Sequence, residues 1–298
     1  MKELVLVPTY QRSAFLAVCL EAIRAAEPDA NIHVFPDRGE NELEVCDQFS
    51  ATHHLTWKHT YHGNSANMLE ALKWANSQSV FLVHVIEDDA IITPDYFAWA
   101  RAALLAHPEA FCACGWQYSP QALISDGPDI LMPWYLSVCA TFPHHSLPSI
   151  GQHARPEYYS DMPGYLDRAY PASSHRGTKH YEQDGLVLRV LESQSRRAVW
   201  PRRPRALHIG WQGYHMTGPA LDGSLAERVQ IVKAAIANPS VLARLMSGGP
   251  LPHIGYCTEC QCPLLMDTTD IRTVCSACFH ATWPDLPHTS DSHYYISQ

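Results

Sequence analysis

The chain has 298 residues, enough for one full core or two unequal ones. Its 46% hydrophobic and 17% charged content marks a folded chain, and a formal net charge of −9 excludes a general attraction to nucleic acid or anionic membrane. No apolar run reaches the length of a membrane span, and the opening Met1-Lys-Glu-Leu-Val-Leu-Val-Pro is too quickly interrupted for a signal peptide, so a cytoplasmic protein with unpaired cysteines is expected.

In chain order, Leu4–Pro8 reads as an apolar strand, followed by Thr9-Tyr-Gln-Arg12 and an amphipathic helix from about Ala14 to Ala26. A second strand, Asn31–Phe35, ends in Pro36-Asp37-Arg38-Gly39. A helix is expected over roughly Asn41–Phe49 and a short strand near Leu55–His59. Asn64-Ser-Ala-Asn67 is placed as the cap of a helix running to about Asn76. The apolar run Phe81–Ile86 then delivers Glu87-Asp88-Asp89, with a helix start soon after Pro94. Strands interleaved with helices predict an α/β layer fold with a parallel sheet, whose ligands bind at the carboxyl ends of the strands. Tyr10, Arg12, Asp37 and the three acids all follow strands there.

Three adjacent carboxylates repel one another. A solvated acidic turn is the plain alternative, but the acids close a run too apolar for a surface strand. That favours a divalent cation, Mn²⁺ or Mg²⁺, itself bound to a polyphosphate. No G-x-G-x-x-G follows the first strand and no G-x-x-x-x-G-K-[ST] occurs, so the dinucleotide and P-loop readings fall away. What remains is a nucleotide held by an arginine, a base-reading aspartate and a metal, and a nucleotide sugar fits that description.

Glu87-Asp88-Asp89 with Pro94-Asp95-Tyr96-Phe97 resembles the metal-binding segment of GT-A glycosyltransferases, in particular the N-acetylglucosaminyltransferase I group. Phe111-Cys-Ala-Cys-Gly-Trp116, Glu182-Gln-Asp184 and Trp200-Pro-Arg-Arg-Pro-Arg205-Ala-Leu-His208-Ile-Gly210 are similar to later segments of that group, in the same order, so the resemblance spans roughly residues 3–215. It implies a GT-A fold, a Rossmann-like mixed sheet flanked by helices, over 1–246. It also implies an inverting, metal-dependent transfer of a hexosyl or N-acetylhexosaminyl group from a nucleotide sugar, UDP favoured. Asp89 would be the direct metal ligand, with His208 a further one; a packed histidine is the plainer reading of His208, and His215 is a weaker candidate. Asp88 would hold sugar or ribose hydroxyls and Glu87 the donor sugar. Asp37 would accept from the uracil imide, and Pro8, Tyr10, Arg12 and Arg205 would line the base and phosphates. Asp184 would be the general base, with Glu182 its rival. The glycine-rich His208–His215 is expected to close over the diphosphate.

The segment from Ser119 to about Lys179 shows little periodicity and is expected to hold long loops for acceptor recognition or a lid. Five arginines (196, 197, 202, 203 and 205) cluster beside Trp200. With a zinc ribbon downstream, they leave three acceptors open: a hydroxymethylated base in DNA, a saccharide, or a protein side chain. The rivals are a non-catalytic binding module on a degenerate transferase fold and a nucleotidyltransferase. The latter lacks its basic glycine-rich segment here.

Helices are expected at Leu225–Ala237 and Pro239–Met246, then a linker, Ser247–Pro252. The pairs Cys257-x-x-Cys260 and Cys275-x-x-Cys278, fourteen residues apart, predict a structural Zn²⁺ site in a ribbon over 247–285. Cys262 and His280 are spare ligands, Asp267–Asp270 a turn, and 286–298 a tail.

Overall fold

The computed structural model describes residues 2–37, 42–54, 63–116, 127–211 and 218–251, together with the backbone of four strands beyond them. The chain divides into two compact units, Met1–His208 and Ile209–Gln298. Sequence reading puts the first boundary at 246; the contacts divide the chain at 208.

The first unit is a mixed α/β layer fold. Its strands are β1 (Glu3–Thr9), β2 (Ile32–Pro36), β3 (Thr52–His53), β4 (Leu82–Ile86), β5 (Ala90–Ile92), β6 (Cys112–Cys114), β7 (Ile130–Met132), β8 (Cys139–Pro143), β9 (Ala198–Trp200) and β10 (Ala206–His208). Eight of them form one sheet in the order β3-β2-β1-β4-β8-β6-β9-β7. The pairs β3-β2, β2-β1 and β1-β4 are parallel. β8 enters antiparallel to both β4 and β6. The expectation of a parallel sheet therefore holds for the first four strands and gives way to mixed pairing at β8. β1 and β4 are buried along nearly their whole length, which is why they read as continuous apolar runs rather than alternating ones.

The helices are α1 (Ser13–Ala26), α2 (Leu43–Gln48), α3 (Asn64–Asn76), α4 (Tyr96–Ala106), α5 (Leu147–Gly151), α6 (Pro156–Ser160), α7 (Met162–Ala169) and α8 (Gln183–Ser193). α1 buries Phe15, Cys19 and Ile23 along with Leu16 and Leu20, a spacing of four that turns one stripe to the core. α3 and α8 cover the other part of the sheet, where Met68, Leu72, Leu186 and Val190 join Leu6, Val83, Val85 and Phe142 in one cluster.

Two local expectations differ from the structure, and a third is untested. α3 is preceded by Gly63 at φ 84°, Asn64 opens the helix, and no side chain caps it; the Asn67 amide instead donates to Phe35 O at 2.7 Å. The expected strand at Leu55–His59 lies outside the described residues, and β3 ends just before it. Residues 127–179, read as loop, contain β7, β8 and three short helices. Tyr158 is fully buried there, and the His153 ring bonds the hydroxyls of Tyr165 and Tyr170. Helices of five to eight residues, all three with proline in the first turn, leave too little periodicity to read.

In the second unit, α9 (Leu225–Ala237) starts at a capping box. The Ser224 hydroxyl accepts from Glu227 N–H and the Glu227 carboxylate accepts from Ser224 N–H at 2.8 Å. α10 (Pro239–Met246) is capped by Asn238. Both helices match the expected bounds. Beyond them β11 (His253–Tyr256) pairs antiparallel with β12 (Pro263–Met266), and β13 (Arg272–Cys275) with β14 (His293–Ile296). Cys257, Cys260, Cys262, Cys278, His280 and the turn at Asp267–Asp270 lie outside the described residues, and Cys275 is described only as strand backbone. β14 falls in the stretch read as a tail. Among the described residues no helix is long and apolar enough to cross a membrane.

Candidate active site

β1, β2 and β4 run parallel, so their carboxyl ends open on one edge of the sheet, and the chemistry-bearing residues gather there. β1 ends in Thr9, and a turn through Gln11, at φ 53°, leads to Arg12 at the start of α1. Glu87 directly follows β4, and Asp88 and Asp89 form the turn into β5. Asp88 is fully buried. Its Oδ2 accepts from the Thr9 hydroxyl at 2.7 Å and from Arg12 Nε at 3.2 Å, and its Oδ1 accepts from the same guanidinium. Arg12 also donates to Asp89 Oδ2, so one guanidinium bridges both aspartates.

His208 reaches this corner through a small ribbon outside the main sheet. β10 pairs antiparallel with β5, with His208 opposite Ala90, and this places His208 Nε2 3.4 Å from Asp89 Oδ2. The Trp116 ring stands edge-on to the imidazole at 5.9 Å. Burial opposes protonation of His208, but the hydrogen bond and charge of Asp89 outweigh it and raise its pKa. Burial likewise opposes ionisation of Asp89, yet Arg12 and His208 hold its pKa far below the carboxylate range. Asp88 is pushed up to about 6 because burial exceeds what Arg12 and Thr9 return.

Glu87 is the least stabilised of the acids. Its Oε1 is buried with no hydrogen-bond partner, and burial, reinforced by the charges of Asp89 and Asp184, pushes its pKa up to about 8. Asp184 lies in the first turn of α8, with Oδ1 also buried and unpartnered; burial and then Glu182 raise its pKa to about 6. Ser137, in the loop before β8, meets both carboxyl groups and opposes each shift. Glu182 is the residue before α8 and its side chain does not cap the helix.

The start of α8 is fixed from two sides. The Ser65 hydroxyl donates to Gln183 Oε1 at 2.8 Å and accepts from Gln183 N–H, tying α8 to α3. Arg189, almost fully buried, donates to the carbonyls of His180, Gly185 and His175. Gly185 has to be glycine: a Cβ there would sit 2.0 Å from His180 O.

The remaining candidates divide. Asp37 is buried directly after β2, and its N–H donates to Thr9 O at 2.8 Å, which joins the two strand ends. Pro8 is buried in β1 opposite Phe35, and Tyr10 is exposed beside them. Arg205 pairs with a different acid: its Nη1 donates to Asp95 Oδ2 at 2.7 Å, while Thr93 bonds the other Asp95 oxygen. His215 and the glycine-rich run after Trp211 lie outside the described residues. Thr9, Ser137, Ser65 and Arg189 were not singled out from sequence. Only Thr9, the residue before Tyr10 at the end of a buried strand, had a position that marked it.

Among the described residues no cluster of three His, Cys, Asp or Glu side chains is arranged to hold a metal ion by itself. The site nevertheless fits a cation that draws its remaining ligands from phosphate. Asp89 Oδ1 is buried without a partner, and His208 stands on the opposite oxygen of the same carboxylate.

Residues 3–135 match the family model described as "Glycosyltransferase like family 2", a stretch just short of half the chain. No curated protein matches the chain. Among solved structures, the chain is similar to residues 1–349 of Staphylococcus aureus TarS in complex with UDP-GlcNAc, at 14% identity and a TM-score of 0.48, with 80% of this chain and 72% of that one covered. A second structure of TarS 1–349 gives 12% identity and a TM-score of 0.44; 68% of this chain matches, spanning only 58% of that one. The galactosyltransferase LgtC, in complex with donor and acceptor sugar analogs, gives 11% identity and a TM-score of 0.41, covering 67% and 73%.

Proposed function

We propose that the chain is a glycosyltransferase that moves a sugar from a nucleotide sugar, UDP-linked, to a saccharide hydroxyl with inversion. The observation that carries this reading is the convergence at one sheet edge of Asp88 and Asp89 under Arg12 and His208 with a further carboxylate, Asp184, raised to about 6. The match of residues 3–135 to a glycosyltransferase model supports the reaction class.

Asp89, with His208, would hold Mn²⁺ or Mg²⁺, which when bound neutralises the diphosphate leaving group. The chain's own residues supply the rest. Asp37 would accept from the uracil imide, Tyr10 would lie beside the base, and Arg12, held on Asp88 and Asp89, would border the phosphates. Asp184 Oδ1, without a partner and basic above pH 6, takes the acceptor hydroxyl proton as that oxygen bonds C1 and the C1–O bond to the diphosphate breaks. Glu87, protonated at neutral pH, serves as a hydrogen-bond donor to the sugar rather than as a second base.

A DNA acceptor draws no support from the arginine run. Arg196 donates to the carbonyls of Glu109 and Ala110 and lies over the Phe111 ring, Arg202 donates to Pro128 O, and Arg205 pairs with Asp95. These are cross-braces within the fold rather than a phosphate-facing stripe.

Thermal melts with a panel of nucleotide sugars, with and without Mn²⁺, test the donor side. A selective rise with one UDP-sugar, enlarged by Mn²⁺ and followed by slow release of free sugar, is expected. No stabilisation by any nucleotide sugar would end the proposal, and tight binding without release of sugar would favour a binding module. The cysteine spacing supports a structural zinc in the C-terminal segment, and elemental analysis is expected to find one zinc per chain; a folded, zinc-free protein would dismiss it.

A further inference from the structure

The exposed Trp134 lies beside the segments that deliver Asp184, and the mechanism above does not use it. Among the described residues it is one of six large hydrophobic side chains that are exposed, at 44%. Its backbone is nevertheless held: Trp134 O accepts from Trp200 Nε1 at 3.1 Å, and the next residue, Tyr135, is buried in the core. The indole is thus an apolar plate presented to solvent from a fixed backbone. His175 stands edge-on to it with ring centroids 5.3 Å apart, and His180 stands edge-on to His175 at 6.4 Å.

Both sides of this wall belong to the segments that deliver the base. Trp134 is three residues ahead of Ser137, which meets Asp184 and Glu87, and three residues span at most about 10 Å. His175 is tied to the first turn of α8 because Arg189 holds the carbonyls of His175 and Gly185 together, and Gly185 follows Asp184. The wall also lies away from the nucleotide side. In the sheet order β2-β1-β4-β8, Asp37 directly follows β2 and the Ser137 loop leads into β8, three strand spacings or about 14 Å apart.

We propose that Trp134, flanked by His175 and His180, is the acceptor platform: a pyranose ring lays its C–H face on the indole while the imidazoles bond its hydroxyls, presenting one hydroxyl to Asp184. This rests on the glycosyltransferase reading and adds the class of acceptor and the surface that selects it. An indole suits this task because it offers a large apolar face at little cost in side-chain entropy. A neutral imidazole both donates and accepts, as a ring of hydroxyls requires.

The test labels the eight tryptophans with 5-fluorotryptophan and assigns the Trp134 ¹⁹F resonance by its loss in Trp134→Phe. Methyl glycosides of glucose, galactose and N-acetylglucosamine are titrated in, with 5-hydroxymethyl-deoxycytidine as the nucleobase arm. A saturable shift of the Trp134 line with at least one glycoside, while the buried Trp211 line stays still, is expected. No shift with any glycoside, or a shift with the nucleoside alone, overturns the proposal. Kinetics give the second arm: Trp134→Ala raises the KM of the responding glycoside by about tenfold and Trp134→Tyr recovers most of it. Equal KM values in all three proteins also overturn it. The nucleotide-sugar melts report on the donor, so a failed transferase reading and a failed platform give different results.

Discussion

Asp184→Asn is expected to lower sugar transfer by about 10²–10⁴-fold while leaving the melting shift produced by the nucleotide sugar in place. The amide keeps the shape of the carboxyl but cannot take a proton, and the position is buried at the head of α8 with an unpartnered oxygen; Glu87 shares both features, but its pKa of about 8 leaves it protonated at neutral pH. The parent's rate should fall with acidity below about pH 6, where Asp184 becomes protonated, and the residual rate of the variant should lose that limb. Near-normal transfer by Asp184→Asn would move the base to Glu182. A lost melting shift would instead make Asp184 part of donor binding.

Arg12→Met is expected to give the largest loss of stability of any single change in the cleft, about 3 kcal/mol. The guanidinium is the main counter-charge for two buried aspartates, and removing it leaves Asp88 with only the Thr9 hydroxyl and Asp89 with only His208. The deficit should depend on pH with a definite sign. In the parent, Asp89 is held below its unfolded pKa, so its contribution is present above about pH 4 and lost as pH falls. Without Arg12 burial prevails, the folded-state pKa values of both aspartates rise, and the variant loses stability as pH rises through them. Melts of parent and variant should therefore diverge from pH 5 toward pH 8, to a gap on the order of ten degrees for a unit of this size. A constant gap would mean that Arg12 acts through packing alone.

How much of this was legible beforehand depended on how local each cause is. β1, α1, β2 and the acids after β4 were readable because a fully buried strand is a continuous apolar run and α1 repeats its apolar residues every four positions. Asp37 and Arg12 could be aligned with the acids because parallel strands bring their carboxyl ends together. β8 was hidden because Cys139-Ala-Thr-Phe-Pro shows no alternation, although it is the strand at which the sheet turns antiparallel. The pairing of Arg205 with Asp95 could not be read either, since the partners are 110 positions apart and nothing nearby in sequence marks the pair. Nothing near Arg189 in sequence marks it, because the carbonyls it clasps to set α8 belong partly to residues 9 and 14 positions away.

The ribbon of β5 and β10 has a consequence for how this protein would fail. It is three residue pairs long and separate from the main sheet, so its loss would cost the core little. Its register nevertheless decides whether the imidazole meets Asp89, because successive side chains in a strand point to opposite faces. One residue inserted or deleted among 201–205 would turn His208 away and bring a neighbour into its place, with the sheet and the aspartate turn untouched. Such lesions would yield a protein that expresses and melts normally yet lacks one of the two residues proposed to hold the divalent cation. Length variation in that short connection is therefore the first place to look when a well-folded relative of this chain proves inert.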